Sequence, residues 1–534
     1  MKTSPNPTFV PRSLRLLCAA ALPLLALPPA SAQTPGDQDP TFAVGPDANG
    51  FVRAVAVQGD DQTLVGGEFT TFQGQSRNAL ARVHTDGTLD AFNPGLAISG
   101  YSSDGPRVEA VAVQPDGKIL AAGSFTVLNQ TAGGGVVRLN ADGSLDTGFN
   151  VGSGVVDDGG EVGVAYALKV LPNGQILVGG AFQSFNGVAV AGLVRLNADG
   201  SLDPAYNAGG AGVAANPYGQ DVRAIALQDD GRVLVGGHFS AYDGQAANCV
   251  ARLQGDGTLD PSFNVGTGPD YGVLSLAVQG DGKILVGGGY SSFDGNNNVE
   301  PLLRVNADGS LDTGFYPTGN VKINEADAVL AQPDGTILVG GLVYTTGGLI
   351  ASPVNGVVRY LGDGTQDGGF DVGSDGRQVL ALALQSDGRA VAVSGPTNLV
   401  GNPSGNVYRY YDLVLPTFFT GEVYLGSGVY YLAFPNGNYF GYYAFLSDPH
   451  YIYHFDLGYE YVFDANDGYS GVYFYDFKSD TFFYTSPTFG FPYLYDFTLN
   501  SVLFYYPDPN NAGHYNTNGV RYFYDFATGQ IITK

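Results

Sequence analysis

The chain has 534 residues, 79 of them Gly and 30 Pro, with 14% charged residues, no Trp and two Cys, a length that implies more than one domain at roughly 100 to 200 residues each. Its 44% apolar share is ordinary for a globular chain, and no apolar run of about 20 residues follows the N-terminal segment, which excludes a disordered chain and a polytopic membrane protein. With 24 basic against 50 acidic side chains, a net charge of −26, the chain offers no basic field to phosphate backbones, and nucleic acid is not an expected partner.

Lys2, Arg12 and Arg15 precede the apolar run Leu16 to Leu27, and Ala30-Ser31-Ala32 then supplies the small-x-small pattern of a signal-peptidase site before Gln33. Residues 1–32 are predicted to be a secretory signal peptide, so the expected location is secreted, cell-surface or periplasmic, with no transmembrane segment after its removal. Cys18 leaves with the signal, and Leu17 before it does not fit a lipobox. The remaining Cys249 has no partner for an internal disulfide. It lies in the apolar stretch Asn248-Cys249-Val250-Ala251, where a buried structural thiol is expected.

One phrase then recurs: an apolar strand, a turn of the Gln-Pro-Asp-Gly type, and a strand ending Leu-Val-Gly-Gly. Copies span Gln58 to Gly67, Gln114 to Gly123, Leu171 to Gly180, Gln228 to Gly237, Gln279 to Gly288 and Gln332 to Gly341, with a degenerate seventh at Gln385 to Ser394. Each continues into a strand carrying Arg (Arg82, Arg138, Arg195, Arg252, Arg304, Arg359, Arg409). The first six add a second turn and an aromatic, namely Phe92, Phe149, Tyr206, Phe263, Phe315 and Phe370. Three strands and a short fourth per period, joined by Asp-Gly or Asn-Gly turns that supply positive φ, make one propeller blade. The predicted fold is all-β: a seven-bladed β-propeller over residues 33–413. Asp39-Pro40-Thr41-Phe42 repeats the phrase that ends other units (Asp260-Pro261-Ser262-Phe263), while the seventh unit stops near Tyr411. The N-terminus is therefore expected to complete the last blade and close the ring.

Asp-Gly-Lys-Ile-Leu-Val-Gly-Gly at 116–123 and Leu-Asn-Ala-Asp-Gly-Ser-Leu-Asp at 139–146 resemble the delta-60 repeat family of bacterial secreted repeats, over residues 39–411. The resemblance implies a propeller of unknown function. The Gly-Gly is also similar to that of Kelch repeats, without their aromatic positions.

The links between repeats vary and are the expected recognition surface. They carry Asp104, Arg107 and Glu109; Asp157, Asp158 and Glu161; Tyr218, Asp221 and Arg223; Asp270 and Tyr271; and Lys322, Glu325 and Asp327. Acid, base and tyrosine together suit a polar or sugar ligand, or a cation. The repeated Asn140-x-Asp142-x-Ser144-x-Asp146 lacks the Gly and Glu of an EF-hand and is read as a hairpin turn. Arg138 with Asp146 suggests an ion pair repeated in each blade. His84 and His238 stand at non-equivalent places, and no nucleophile elbow, phosphate-binding loop or zinc motif occurs. No cofactor, metal or catalytic residue is assigned, although carboxylates from separate blades can still converge on the channel.

From Tyr411 onward the composition changes: 124 residues hold 39 of the 66 Tyr and Phe. A Tyr-x-Tyr-Asp-Phe phrase recurs at 473–477, 493–497 and 522–526, and alternation along a strand puts Tyr473 and Tyr475, and likewise Tyr493 and Tyr495, on one face. Residues 414–534 are expected to form an aromatic-rich antiparallel β domain. Its tyrosines either make the core or stack on sugar rings, and the spacing is loosely similar to that of aromatic repeats in cell-wall-binding modules. The functional expectation is a secreted, non-enzymatic binding or scaffold protein whose tail docks to glycan, cell envelope or another protein. The alternative is a secreted carbohydrate-active enzyme, a glycosidase or lyase, using the propeller channel.

Overall fold

The computed structural model describes residues 35–42, 48–94, 98–99, 106–127, 134–297, 299–345, 356–370, 378–386, 388–395 and 406–411, together with strands between 422 and 533. The expected signal segment and Asp104 lie outside the described residues. The described chain is all-β; it contains no helix, and hence none long and apolar enough to cross a membrane.

Each repeat folds into an antiparallel three-stranded core in chain order. The first is Phe51–Val57, Thr63–Glu68 and Leu80–Val83; the fourth is Asp221–Leu227, Val233–His238 and Val250–Leu253. Asp-Gly turns join the first two strands: Gly117 at φ 82° lets Gly117 N donate to Gln114 O while Gln114 N donates to Lys118 O. The expected fourth strand is reduced to one bridge, such as Val83 with Leu89 or Leu196 with Leu202. Among the described residues seven sheets share this core, the last being Val379–Leu384, Ala390–Ser394 and Val407–Tyr410. Between the second and third strands some repeats insert a small hairpin, as at Ala241–Tyr242 with Gln245–Ala246.

The middle strands are buried on both faces, as Thr63–Glu68 and Val233–His238 show, because neighbouring sheets pack face to face. One apolar cluster, for example, joins Leu64 and Leu80 of the first sheet to Val108, Ile119 and Val137 of the second. Each such side chain contributes about 1.5 to 3 kcal/mol when fully buried. The first Gly of each Gly-Gly sets how close the sheets come. A Cβ on Gly66 would sit 2.5 Å from Val108 Cγ1, and one on Gly340 2.6 Å from Val379 Cγ1. The first strands of successive sheets touch one another in sequence, and Phe51–Val57 touches Val379–Leu384, so the inner strands form a closed circle.

A second device ties the outer edges. Arg138 pairs with Asp146 at 2.7 Å, lies over the Phe149 ring at 4.6 Å, and donates to Ala198 O in the next repeat. Arg195, with Asp203, Tyr206 and Gly255 O, and Arg304, with Asp312, Phe315 and Gly362 O, repeat the arrangement. Asp146 is thus engaged by Arg138 and Lys118, and Asp142 accepts from Ser144 N and Oγ, which makes the 140–146 phrase a bonded hairpin turn. At the chain's return Arg409 pairs with Asp39 at 2.6 Å and lies over Phe42 at 4.6 Å, while Gln38 bridges Tyr410. The N-terminal segment therefore supplies the edge that the seventh repeat lacks.

Beyond residue 421 eleven strands, Glu422–Gly426 to Gln530–Thr533, pair in chain order as an antiparallel meander. Tyr484 pairs with both Tyr473 and Tyr495, whereas Phe483, Leu494, Leu503 and Phe523, at the alternate positions of their strands, are all fully buried. The repeated Tyr-x-Tyr positions and the buried apolar positions therefore alternate along the strands.

Candidate functional site

The second Gly of the Gly-Gly builds the site. Where Gly67 pairs with Val52 and Gly66 with Ala54, Arg53 has no partner; the register slips by one residue and the strand bulges. Glycine is needed there because a Cβ on Gly67 would fall on the Phe51 carbonyl oxygen, and Gly123, Gly180, Gly237 and Gly341 face the same carbonyl of their own neighbours. Every repeat bulges at this point, leaving Arg53, Glu109, Tyr166, Arg223, Leu274, Asp327 and Leu380 as the extra residues. All seven are half-buried and belong to the closed circle of inner strands, so seven equivalent backbone positions present seven variable side chains around one axis.

The polar members interact. Glu68 holds Arg53 at 2.6 Å and Arg107 at 3.7 Å, and Arg107 reaches Glu109 at 3.2 Å. Burial pushes the Glu109 carboxyl upward, with Arg53 and Arg107 only partly offsetting it. The Arg223 guanidinium lies 4.4 Å above the Tyr166 ring and pairs with Asp221 at 3.2 Å. Opposite in charge, Glu325 and Asp327 both accept from Gln378 Nε2, at 3.4 and 2.9 Å. Burial, and then the neighbouring Glu325 carboxylate, raise Asp327 to about 7. A carboxyl poised there holds or releases a proton near neutrality.

Beside this ring, Asp221 Oδ1 accepts from the His238 backbone N–H and lies 3.0 Å from His238 Nδ1. Burial pushes Asp221 upward, yet the His238 hydrogen bonds and the Arg223 charge outweigh it and hold the carboxyl below its usual range. Tyr271 stands edge-on to the imidazole at 5.2 Å and to Tyr218 at 4.7 Å.

Of the residues expected from the sequence, Arg107, Asp221, Arg223 and Tyr271 come together here, and Glu109, Tyr218, Glu325 and Asp327 join them. Most are not on loops as expected. Arg107 opens Arg107–Val113, Asp221 and Arg223 lie in Asp221–Leu227, and Glu325 and Asp327 lie inside Val321–Ala331, because the inner strands start earlier than the Gly-Gly phrase suggests. Asp158 and Glu161 are exposed in a separate turn, where Asp157 Oδ1 accepts from Gly159 N and Glu161 N. Tyr473 and Tyr475 lie in the strand Val472–Asp476, and Tyr493 begins Tyr493–Asp496; their side chains are outside the described residues, and Tyr495 is half-buried. Cys249 precedes its strand, which is Val250–Leu253, at φ 61°, and burial raises its thiol to about 11. Arg53, Glu68, Tyr166, Gln378 and His238 were not expected. For Arg53 and Tyr166 the signal is the third position of the first strand, where a polar residue interrupts small and apolar ones, whereas Glu68 and His238 end second strands and Gln378 precedes a first strand. Among the described residues no group of three or more His, Cys, Asp or Glu is placed to hold a metal ion.

Six segments, residues 58–92, 114–149, 171–206, 228–263, 279–315 and 332–370, match the family described as Domain of unknown function (DUF5122) beta-propeller. No curated protein matches the chain. Among solved structures the chain is similar to a catalytically inactive virginiamycin B lyase from Staphylococcus aureus with quinupristin, at 11% identity over 68% of this chain and 96% of that one, TM-score 0.40. A puromycin hydrolase gives 15% over 78% and 61%, TM-score 0.39. A gluconolactonase from Xanthomonas campestris gives 12% over 72% and 98%, TM-score 0.34. The six matched repeats support a β-propeller repeat family for the repeated part of this chain.

Proposed function

We propose that the chain is a secreted, seven-bladed propeller of the delta-60 repeat kind that binds a polar ligand at the axis of its ring, and that its aromatic C-terminal strands dock to glycan or envelope. The carrying observation is the ring of bulge residues. The repeat keeps the backbone at these seven places, while the side chains diverge into Arg53, Glu109, Tyr166, Arg223 and Asp327, which fold stability alone does not require. Leu274 and Leu380 occupy the same position, so an apolar residue fits the fold there.

The test is a thermal-unfolding screen of the whole chain against oligosaccharides, amino acids and polyamines, repeated with Arg53→Leu/Asp327→Leu. A bound ligand at about 100 times its Kd adds about 2.7 kcal/mol of stability. A stabilising ligand whose effect disappears in the double variant supports the reading; one that stabilises both proteins equally overturns it. Docking is tested by sedimenting the whole chain with insoluble glycans and envelopes. Tyr473→Ala, Tyr475→Ala, Tyr493→Ala and Tyr495→Ala together should release it, and undiminished sedimentation overturns the docking role.

A second reading, a carbohydrate-active enzyme, is favoured by the carboxyl pair Glu325 and Asp327 on one amide, with Asp327 raised to about 7. In that case Asp327→Asn would abolish turnover of the bound ligand while preserving its binding.

A further inference from the structure

His238 is 5% exposed, and its Nε2 has no hydrogen-bond partner among the described residues. Asp221 is held ionised by its neighbours and can only accept, so the 3.0 Å contact requires the proton on Nδ1. In the neutral imidazole the other ring nitrogen is then a lone-pair acceptor, and buried polar atoms without a partner are rare in folded proteins. A missing side chain keeps its place: a Cβ on Gly272 would collide with His238 Nε2. Gly272 precedes Val273 as Asp221 precedes Val222 and Glu325 precedes Ala326, so the imidazole edge fills the slot that a ring side chain takes in the other repeats.

Two further features surround that nitrogen. Tyr271, 36% exposed, stands edge-on both to the imidazole and to Tyr218, 58% exposed, and neither tyrosine hydroxyl makes a hydrogen bond among the described residues. Arg223 spends only Nε on Asp221 and its face on Tyr166, which leaves its terminal nitrogens as donors. An acceptor, a donor fork and an exposed aromatic ring match the hydroxyls, ring oxygen and apolar face of a sugar. Charge narrows the class. Asp221, Glu109 and Asp327 act on or near Arg223 and oppose an anion, while Arg223 itself opposes an ammonium.

We propose that Tyr218, Tyr271, His238 and Arg223 form a subsite for a neutral saccharide: one sugar ring lies on the exposed Tyr218 ring, a hydroxyl donates to His238 Nε2, and Arg223 donates to a second sugar oxygen. Nε2 is buried in the free protein, with Tyr271 edge-on to the imidazole, so the proposed contact requires Tyr271 to turn aside on binding. The subsite deepens the reading of the ring axis as a ligand site and rests on it.

The test uses the whole chain with maltotriose, cellotriose and N,N′,N″-triacetylchitotriose as neutral probes, trigalacturonate as the anionic probe and spermidine as the cationic one. Binding is read by calorimetry and by saturation transfer from protein aromatics to sugar protons. His238→Asn keeps a donor toward Asp221 and deletes the acceptor; Tyr218→Ala/Tyr271→Ala deletes the platform and leaves the imidazole intact. At least one neutral trisaccharide is expected to bind, with affinity reduced tenfold or more in each variant at unchanged thermal midpoint. If His238→Asn does not fold, the tyrosine variant carries the test alone. Binding of trigalacturonate or spermidine in place of the neutral sugars overturns the subsite and leaves the ring-axis reading standing. So does neutral-sugar binding lost in Arg53→Leu/Asp327→Leu but kept in the His238 and tyrosine variants. Failure of all five probes to bind overturns the subsite.

Discussion

Arg409 and Asp39 stand 370 residues apart and meet as a buried ion pair, Nε to Oδ2 at 2.9 Å, with Tyr411 Oη donating to the other carboxylate oxygen at 2.7 Å. The same Arg donates to Thr85 O, so one side chain joins the N-terminal segment, the seventh sheet and the first.

Opening this junction should cost more than surface pairs do. Arg409→Met leaves Arg389, 3.2 Å from Asp39 Oδ2, as the remaining cation but removes the charged hydrogen bonds of Arg409, and about 1 to 3 kcal/mol of unfolding free energy is expected to be lost. Denaturant titration checks it. Burial pushes Asp39 upward, but hydrogen bonds from Thr41, Tyr411 and Arg409 outweigh it and bring it to about 2, below the ordinary 3.8. A depressed folded pKa means stability that is present above pH 3.8 and lost as the pH falls toward 2, about 2 kcal/mol in all. Asp39→Asn should remove that pH dependence.

Gly237→Ala should be among the most damaging small substitutions, since its methyl would collide with the Asp221 carbonyl at the bulge. A loss of about 3 kcal/mol or more is expected. Gly280→Ala is the control, because its Cβ meets nothing within 4 Å. Urea unfolding of the two variants should separate them clearly.

Asp327 titrates the other way from Asp39. Its folded pKa, about 7, lies above the ordinary 3.8, so the linked stability is complete below pH 3.8 and is lost as the pH rises through 7. Relative to the native chain, Asp327→Asn is expected to gain about 1 to 3 kcal/mol between pH 4 and pH 8. Thermal midpoints measured across that range check the sign.

Cys249 is 1% exposed and its thiol is raised to about 11 by burial, so little thiolate forms at neutral pH. A thiol reagent should modify the native chain far more slowly than the chain in denaturant. Rapid native labelling would show that the surrounding core opens.

The repeat, its turns and the pairing of Arg138 with Asp146 were legible because hairpins and edge contacts are local: Asp-Gly at fixed offsets forces the turn, and an eight-residue separation brings Arg to Asp. The site was legible only in part. Arg107, Asp221, Arg223 and Tyr271 were found because they flank variable links. Arg53 and Tyr166 were missed because a lone polar residue in a strand carries no sign of which way a bulge turns it. Asp158 and Glu161 have the composition of a binding link but are exposed in a turn of their own, closed by Asp157.

The amino-acid sequence by itself determined the period, the strand order within each repeat, and the place of Asp39 as the missing edge, since all three depend on neighbours along the chain and on a phrase used more than once. Tertiary structure alone decided which side chains share the axis. Arg53, Glu109, Tyr166, Arg223 and Asp327 are separated by 56, 57, 57 and 104 residues in turn, and only the circle of packed inner strands brings them together. It also decided that His238, an unremarkable strand residue in the sequence, keeps an unpartnered nitrogen over Gly272, because a glycine on one sheet makes room for a ring from the next.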